Sequence, residues 1–209
     1  MRKDVESEDP AKDRQAPVDR AGLAAHLREL TRDDRRVIVA IAGPPASGKS
    51  TFAQALHDEL DECGVPSAVI SLDAFHFDDV VLVARGQRAR KGAPFTFDVA
   101  GLHHTLGRIA AREHEVAVAV FDRELELSRA AASIVTSQVR VVLVEGLYLL
   151  MRDEPWRSLR PFFDMTIMLE VPAAELERRL TQRWIAYGRS AAESAAWIAA
   201  NDLPNMAAV

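Results

Sequence analysis

Residues 37–51 read V-I-V-A-I-A-G-P-P-A-S-G-K-S-T. Val37 to Ala42 is an unbroken apolar run, the pattern of a strand buried on both faces. It leads into Gly43-x-x-x-x-Gly48-Lys49-Ser50 and then into a helical apolar period. Glycines allow a tight turn whose successive N–H groups converge on one anion, and the helix start adds its dipole. Lys49 brings a full positive charge to the β/γ-phosphates, and the Ser50 hydroxyl can ligate Mg²⁺. The phosphate-binding set expected from this stretch is Gly43, Ala46, Ser47, Gly48, Lys49, Ser50 and Thr51. A strand–loop–helix of this form predicts an α/β, three-layer phosphate-loop fold that binds a nucleoside triphosphate.

The 209 residues suffice for one domain with a real core, expected over 21–209. Residues 1–20 carry Pro10, Pro17 and mixed charges and read as a disordered tail without the apolar stretch of a secretory signal. No apolar run approaches the roughly 20 residues of a membrane span. The net charge of −5 argues against nucleic acid as the main partner. The lone Cys63 excludes an internal disulfide or a thiolate zinc site, and a packing role is expected for it. Together these features point to the cytoplasm.

Beyond the loop, Phe52, Ala55, Leu56 and Leu60 mark a helix closed by Gly64, and Ser67 to Leu72 is a second strand ending at Asp73. Strand carboxyl ends face the ligand crevice of such sheets, so Asp73 is a candidate general base; a turn aspartate is the alternative. Asp78 to Pro94 reads as a long loop whose Arg85, Arg88, Arg90 and Lys91 could hold an anion. Asp98 is the expected N-cap of a helix carrying His103 and His104, to which no metal role is given.

Glu115 to Phe121, Val139 to Val144 and Asp164 to Glu170 read as three further strands, making five. Arg123 follows the first and is a candidate substrate contact. Glu145 ends the second and is the expected carboxylate beside Mg²⁺. Pro172 opens a helix on which Arg179 and Arg183 share a face, suited to a lid over the phosphates or to solvated pairing with Glu175. Ser190 to Ala200 is a last helix, followed by an irregular end.

Five segments stand in order: G-P-P-A-S-G-K-S-T, L-D-A-F-H-F-D, R-K-G-A-P-F-T-F-D, V-F-D-R-E and V-V-L-V-E-G-L-Y. Over about Arg36 to Asn205 the chain resembles the phosphoribulokinase, uridine kinase and bacterial pantothenate kinase family. With F-D-R-E-L-E-L-S-R and N-D-L-P-N it most resembles a bacterial branch described as candidate fructose transport system kinases. The resemblance implies transfer of the ATP γ-phosphoryl group to a hydroxyl of a small molecule, with Mg²⁺. It implies Asp73 as the activating base, Lys49 at the transferred phosphate and Glu145 near the metal. It places His76 and Arg123 at the acceptor; Arg85 and Lys91, from the charge pattern of the basic loop, are the further substrate-contact candidates. It matches Arg183, and less closely Arg179, to lid arginines. Relatives often dimerise, so a homodimer is implied as one assembly state. The family's next strand, whose loop frames the adenine, is expected to be missing after N-D-L-P-N.

The acceptor expected is a sugar or sugar-like alcohol, with nucleoside or pantothenate as alternatives. A reading of another class is an ATP-binding regulator without transferase activity. A GTPase switch is disfavoured by the lack of an N-K-x-D motif.

Overall fold

Strand β1 (Val37–Ala42) has all six residues buried, as its sequence predicts. The computed structural model describes residues 19–209. The expected tail therefore lies outside the described residues except for Asp19 and Arg20. Those two belong to the fold: α1 (Arg20–Leu30) starts at Arg20, which pairs with Glu59 at 3.0 Å.

β1 lies between β5 (Val141–Glu145) and β6 (Met165–Met168), with β2 (Ser67–Ser71) outside β5. All three pairings are parallel. Alternation along β1 and β5 builds two cores. Val37, Val39, Ile41, Val141 and Leu143 pack on α1 and on α2 (Lys49–Glu62) through Leu27, Ala53, Leu56 and Leu60. Ile38, Ala40, Val142 and Val144 face α4 (Val99–Ala110) through Leu102, Leu106 and Ile109. Each fully buried leucine contributes about 1.5–3 kcal/mol by leaving water. The result is the expected α/β three-layer arrangement.

Four strands, not five, form this sheet. Glu115 to Phe121 belongs to β3 (Glu115–Asp122), which pairs antiparallel with β4 (Leu127–Thr136), a strand absent from the sequence reading. In β3 the valines at 116 and 118 are buried and the residues beside them are not, which is the period of a half-buried hairpin strand. The expected five-stranded sheet is thus replaced by four strands plus a two-stranded hairpin standing over one layer. The Arg36 guanidinium anchors the hairpin base by donating to the carbonyls of Val139, Ile109 and Thr136 at 2.6–2.8 Å.

Other expectations are corrected. The stretch 78–94 is not a loop throughout: Asp78 caps α3 (Asp79–Ala84), and short 3₁₀ turns follow at Arg88–Arg90 and Pro94–Thr96. Cys63 is exposed rather than packed, because it follows the last turn of α2 where Gly64 turns the chain at φ 70°. The end of the chain is helical, not irregular. After α5 (Ala173–Ala186), α6 (Ala191–Trp197) starts at a Ser190–Glu193 capping box, runs through a π turn at Ile198–Asp202 and continues as α7 (Leu203–Met206).

Candidate active site

The loop between β1 and α2 takes the shape its glycines permit. Gly43 has φ 154°, and a Cβ there would lie 2.8 Å from the Leu169 carbonyl oxygen and 2.9 Å from Ser47 Oγ. Ala46 has φ 62° and Gly48 φ 91°. Gly48 is the N-cap of α2 without a side chain to cap it, and the first turn has no acidic residue. The N–H groups at Lys49, Ser50 and Thr51 are therefore left for an external anion. Ser47 Oγ turns inward on Gly43 and has no partner among the described residues.

Lys49 is 9% exposed and donates to the Pro44 carbonyl at 2.8 Å. Burial depresses its pKa to about 8, against the opposing pull of Glu145 and Asp73. A buried ammonium whose hydrogen-bond partner is a neutral carbonyl favours the approach of an anion.

Glu145 ends β5 and is 4% exposed. Its Oε1 accepts from Ser71 Oγ at 2.6 Å and Ser50 Oγ at 3.2 Å. Burial raises its pKa, while those hydroxyls and Lys49 oppose the rise. Ser71 is not among the candidates named from the sequence. It is the register partner of Glu145 in the ladder, so their side chains emerge together. Its Oγ also accepts from the Asp73 N–H at 3.2 Å, capping the 3₁₀ turn Leu72–Phe75. One hydroxyl thus ties the Glu145 carboxylate to the backbone of the turn that carries Asp73, and Ser-x-Asp at a strand end is the available signal.

Asp73 Oδ2 accepts from Arg123 Nη2 at 2.8 Å across the crevice. Arg123 sits in the β3–β4 turn, where Asp122 Oδ1 accepts from the N–H groups of Glu124 and Leu125. The hairpin outside the main sheet is what brings Arg123 to Asp73. His76 is held between Phe97 and Phe121, with ring centroids 3.9 and 5.6 Å away. Its Nδ1 lies 2.9 Å from the Asp73 carbonyl. Since that oxygen can only accept, Nδ1 carries the hydrogen and Nε2 is an acceptor. Burial lowers the His76 pKa, which keeps the ring neutral.

The remaining candidates divide. Lys91 donates to Asp79 at 2.8 Å and to the Glu126 carbonyl at 2.9 Å, which binds α3 to the hairpin turn. Arg85 is not in the cluster: its guanidinium stacks 4.2 Å from the Phe77 ring centroid and makes no hydrogen bond among the described residues. Its place at the end of exposed α3 turns it outward. Arg179 donates to Glu175 at 2.7 Å and reaches the Ala46 carbonyl of the loop at 3.3 Å. Arg183 makes no ion pair among the described residues, and its charge bears on Lys49. A depression of about 350 Å³ between Arg28, Cys63, Gln138 and Arg140 lies at the amino ends of the strands, away from all of these.

Ser50 and Glu145 offer hard oxygen donors, the chemistry that suits Mg²⁺. Among the described residues no three His, Cys, Asp or Glu side chains gather, so protein ligands alone do not form a cage. Such an ion would share one or two protein oxygens with phosphate oxygens, as Mg²⁺ commonly does. Among the described residues no helix is long and apolar enough to cross a membrane.

The profile of the Phosphoribulokinase / Uridine kinase family matches residues 38–199. The uncharacterized protein YggC of Escherichia coli (strain K12) is 36% identical over 182 residues, which cover 85% of this chain and 74% of that protein. A candidate uridine kinase of Schizosaccharomyces pombe, C227.14, is 30% identical over 176 residues, covering 80% and 74%. The crystal structure of a candidate fructose transport system kinase from Silicibacter sp. TM1040 superposes with a TM-score of 0.85 at 38% identity. That match covers 92% of this chain and 94% of the other.

Proposed function

Because the chain belongs to the phosphoribulokinase/uridine kinase family and is an ATP-dependent phosphotransferase of that kind, we propose that it phosphorylates a hydroxyl of a sugar or sugar-like acceptor. The observation that carries the reading is the Ser71 bridge, which sets Asp73 and Glu145 side by side next to Lys49. A protein that only binds nucleotide needs the loop and no second carboxylate.

In this reading the acceptor hydroxyl lies at the free Oδ1 of Asp73, while Arg123 holds Oδ2 and fixes the carboxylate plane. The acceptor oxygen attacks the γ-phosphorus as its proton passes to Asp73. The bond to the β,γ-bridging oxygen breaks and ADP leaves with that electron pair. Lys49 and the α2 N–H groups hold the β/γ-phosphates, and Arg179 and Arg183 neutralise charge as the phosphoryl group moves. Mg²⁺, held by Ser50 and Glu145, supplies neutralisation of the phosphate oxygens when bound. Phosphoryl transfer depends mainly on such positioning and electrostatics. His76 Nε2 offers an acceptor to a second substrate hydroxyl, which suits a polyol.

The test is ATP-dependent phosphorylation of a panel of sugars, polyols, nucleosides and pantothenate with Mg²⁺, read by mass spectrometry beside Asp73→Asn. A sugar phosphate formed by the wild type is expected, with turnover in the variant down at least about 10²-fold and ATP binding kept. Near-normal turnover of Asp73→Asn removes the base assignment. A nucleoside or pantothenate product, supported equally by the family, replaces the acceptor. ATP binding with no product from any acceptor favours the regulator.

A further inference from the structure

The N-D-L-P-N segment, Asn201–Asn205, has no part in the chemistry described above, yet its polar residues are buried. Asn201, Asp202 and Asn205 are 6–8% exposed and Ser194 is fully buried, so the inner face of the final helical stretch is polar. A buried carboxylate is costly unless something holds it. Asp202 Oδ2 accepts one hydrogen bond, from Trp184 Nε1 at 2.8 Å. Asp202 closes the π turn, a wider turn that shifts helix register and recurs at functional sites.

Trp184 is the residue after Arg183 on α5. Its ring meets Trp197 of α6 edge-on, with centroids 5.5 Å apart. Arg189 covers both indoles, 4.1 Å from the Trp197 centroid and 4.9 Å from that of Trp184. The end of α5 is thus gripped from α6 and the π turn together. The Arg183 guanidinium lies 5.6 Å from the Trp184 ring centroid, and its charge bears on both Asp202 and Lys49. Arg183 therefore lies within electrostatic reach of both the C-terminal turn and Lys49 of the phosphate loop. One helical turn past Asp202, Asn205 accepts from Arg90 Nη2 at 3.4 Å, which secures the turn on its other side.

We propose that Asp202 is a positioning residue for phosphoryl transfer: its hydrogen bond to Trp184 clasps the end of α5 and holds Arg183 where it meets the γ-phosphate. The inference rests on the reading of Arg183 as a phosphate-neutralising residue. Asp202 touches neither nucleotide nor acceptor and acts through Trp184. An arginine on an unclasped helix end samples many positions, and a misplacement of about 1 Å can cost on the order of 10²-fold in such contacts.

The test needs no acceptor. Binding of AMP-PNP and of ADP, each with Mg²⁺, is measured by calorimetry for wild type, Arg183→Gln, Trp184→Phe, Asp202→Leu, Asp202→Asn and the double variant of Arg183→Gln with Trp184→Phe. Trp184→Phe keeps an aromatic ring but removes the donor together with part of the indole's packing, whereas Asp202→Leu removes the acceptor and leaves the indole in place. The preference for AMP-PNP over ADP should fall about tenfold in Trp184→Phe and Asp202→Leu, with ADP affinity within about twofold of wild type. Loss of folding would lower both affinities, so ADP is the internal control. Asp202→Asn keeps an acceptor oxygen and should retain the preference. In the Arg183→Gln background, Trp184→Phe should have no further effect. An unchanged preference in Trp184→Phe, or an equal loss in the Arg183→Gln background, overturns the clasp alone. An unchanged preference in Arg183→Gln itself overturns the role of Arg183, and the clasp with it.

Discussion

His76 is a polar ring in an aromatic slot, and its hydrogen bond to the Asp73 carbonyl shapes the turn of the proposed base. Burial depresses its pKa; Asp73 and Glu126 pull the other way and Lys91 reinforces the depression. The folded protein therefore binds this proton less readily than the unfolded chain. Unfolding takes up the proton as pH falls below the ordinary value of 6.5, so the neutral ring's stabilising packing is progressively offset on the acid side. His76→Phe removes that contribution. Urea unfolding at a series of pH values should show a smaller stability loss below pH 6.5 for the variant than for wild type. Parallel losses in the two proteins would mean that His76 is not depressed. The same variant should weaken acceptor binding, because Nε2 is lost, while leaving ADP binding intact.

At the scale of elements, the site depends on how closely the Leu72–Phe75 turn approaches the end of β5. Gly146 makes that approach possible: a Cβ there would meet the Leu72 side chain, lying 2.8 Å from its Cδ2. Leu72 is only 1% exposed and has no room to retreat. The glycine after Glu145 thus has a packing cause, and it sets the distance between the two carboxylate-bearing segments. Gly146→Ala should destabilise by about 1–3 kcal/mol through overpacking. It should also depress turnover more than it depresses ADP affinity, since the turn that moves carries Asp73. Equal losses in both measurements would indicate general disorder instead. The hairpin β3–β4 is the second decisive element. Its turn brings Arg123 to Asp73 across 50 positions of sequence, and the Lys91 bridge to Glu126 fastens it to the basic segment.

For the whole molecule, the phosphate site is held at a cost in stability that ligand repays. Lys49 is buried beside a neutral carbonyl, and its lowered pKa records the penalty for keeping it charged. Mg²⁺·ATP at about a hundredfold excess over its Kd adds about 2.7 kcal/mol, or about 5–10 °C in Tm for a domain of this size. Lys49→Met should lose most of that ligand-induced shift while its ligand-free Tm stays at or above the wild-type value. Differential scanning calorimetry with and without nucleotide checks both halves. A ligand-free Tm well below wild type would show Lys49 to be a structural cation.

The phosphate loop, the buried β1, the Asp98 cap and the Gly64 stop were all legible in the sequence, because each is set by residues within a few positions of one another. Glu145 is legible as a strand end, and Asp73 as a residue near one, although β2 stops at Ser71 and Asp73 sits in the 3₁₀ turn that follows; parallel sheets present those ends to one crevice. The contacts that make a site of them join residues far apart in the chain. Ser50 reaches Glu145 over 95 positions and Ser71 reaches it over 74, and no local period encodes either. β4 was invisible because Ala130–Ala132 carry no strand signal and its pairing with β3 supplies the order. Arg85 looked like its basic neighbours in sequence, yet the end of α3 turns it onto Phe77. The motif by itself determined that this chain carries a phosphate-loop strand, turn and helix. Only the tertiary packing decided which charges face that turn, because side-chain direction is set by the elements that meet, and those meetings are non-local.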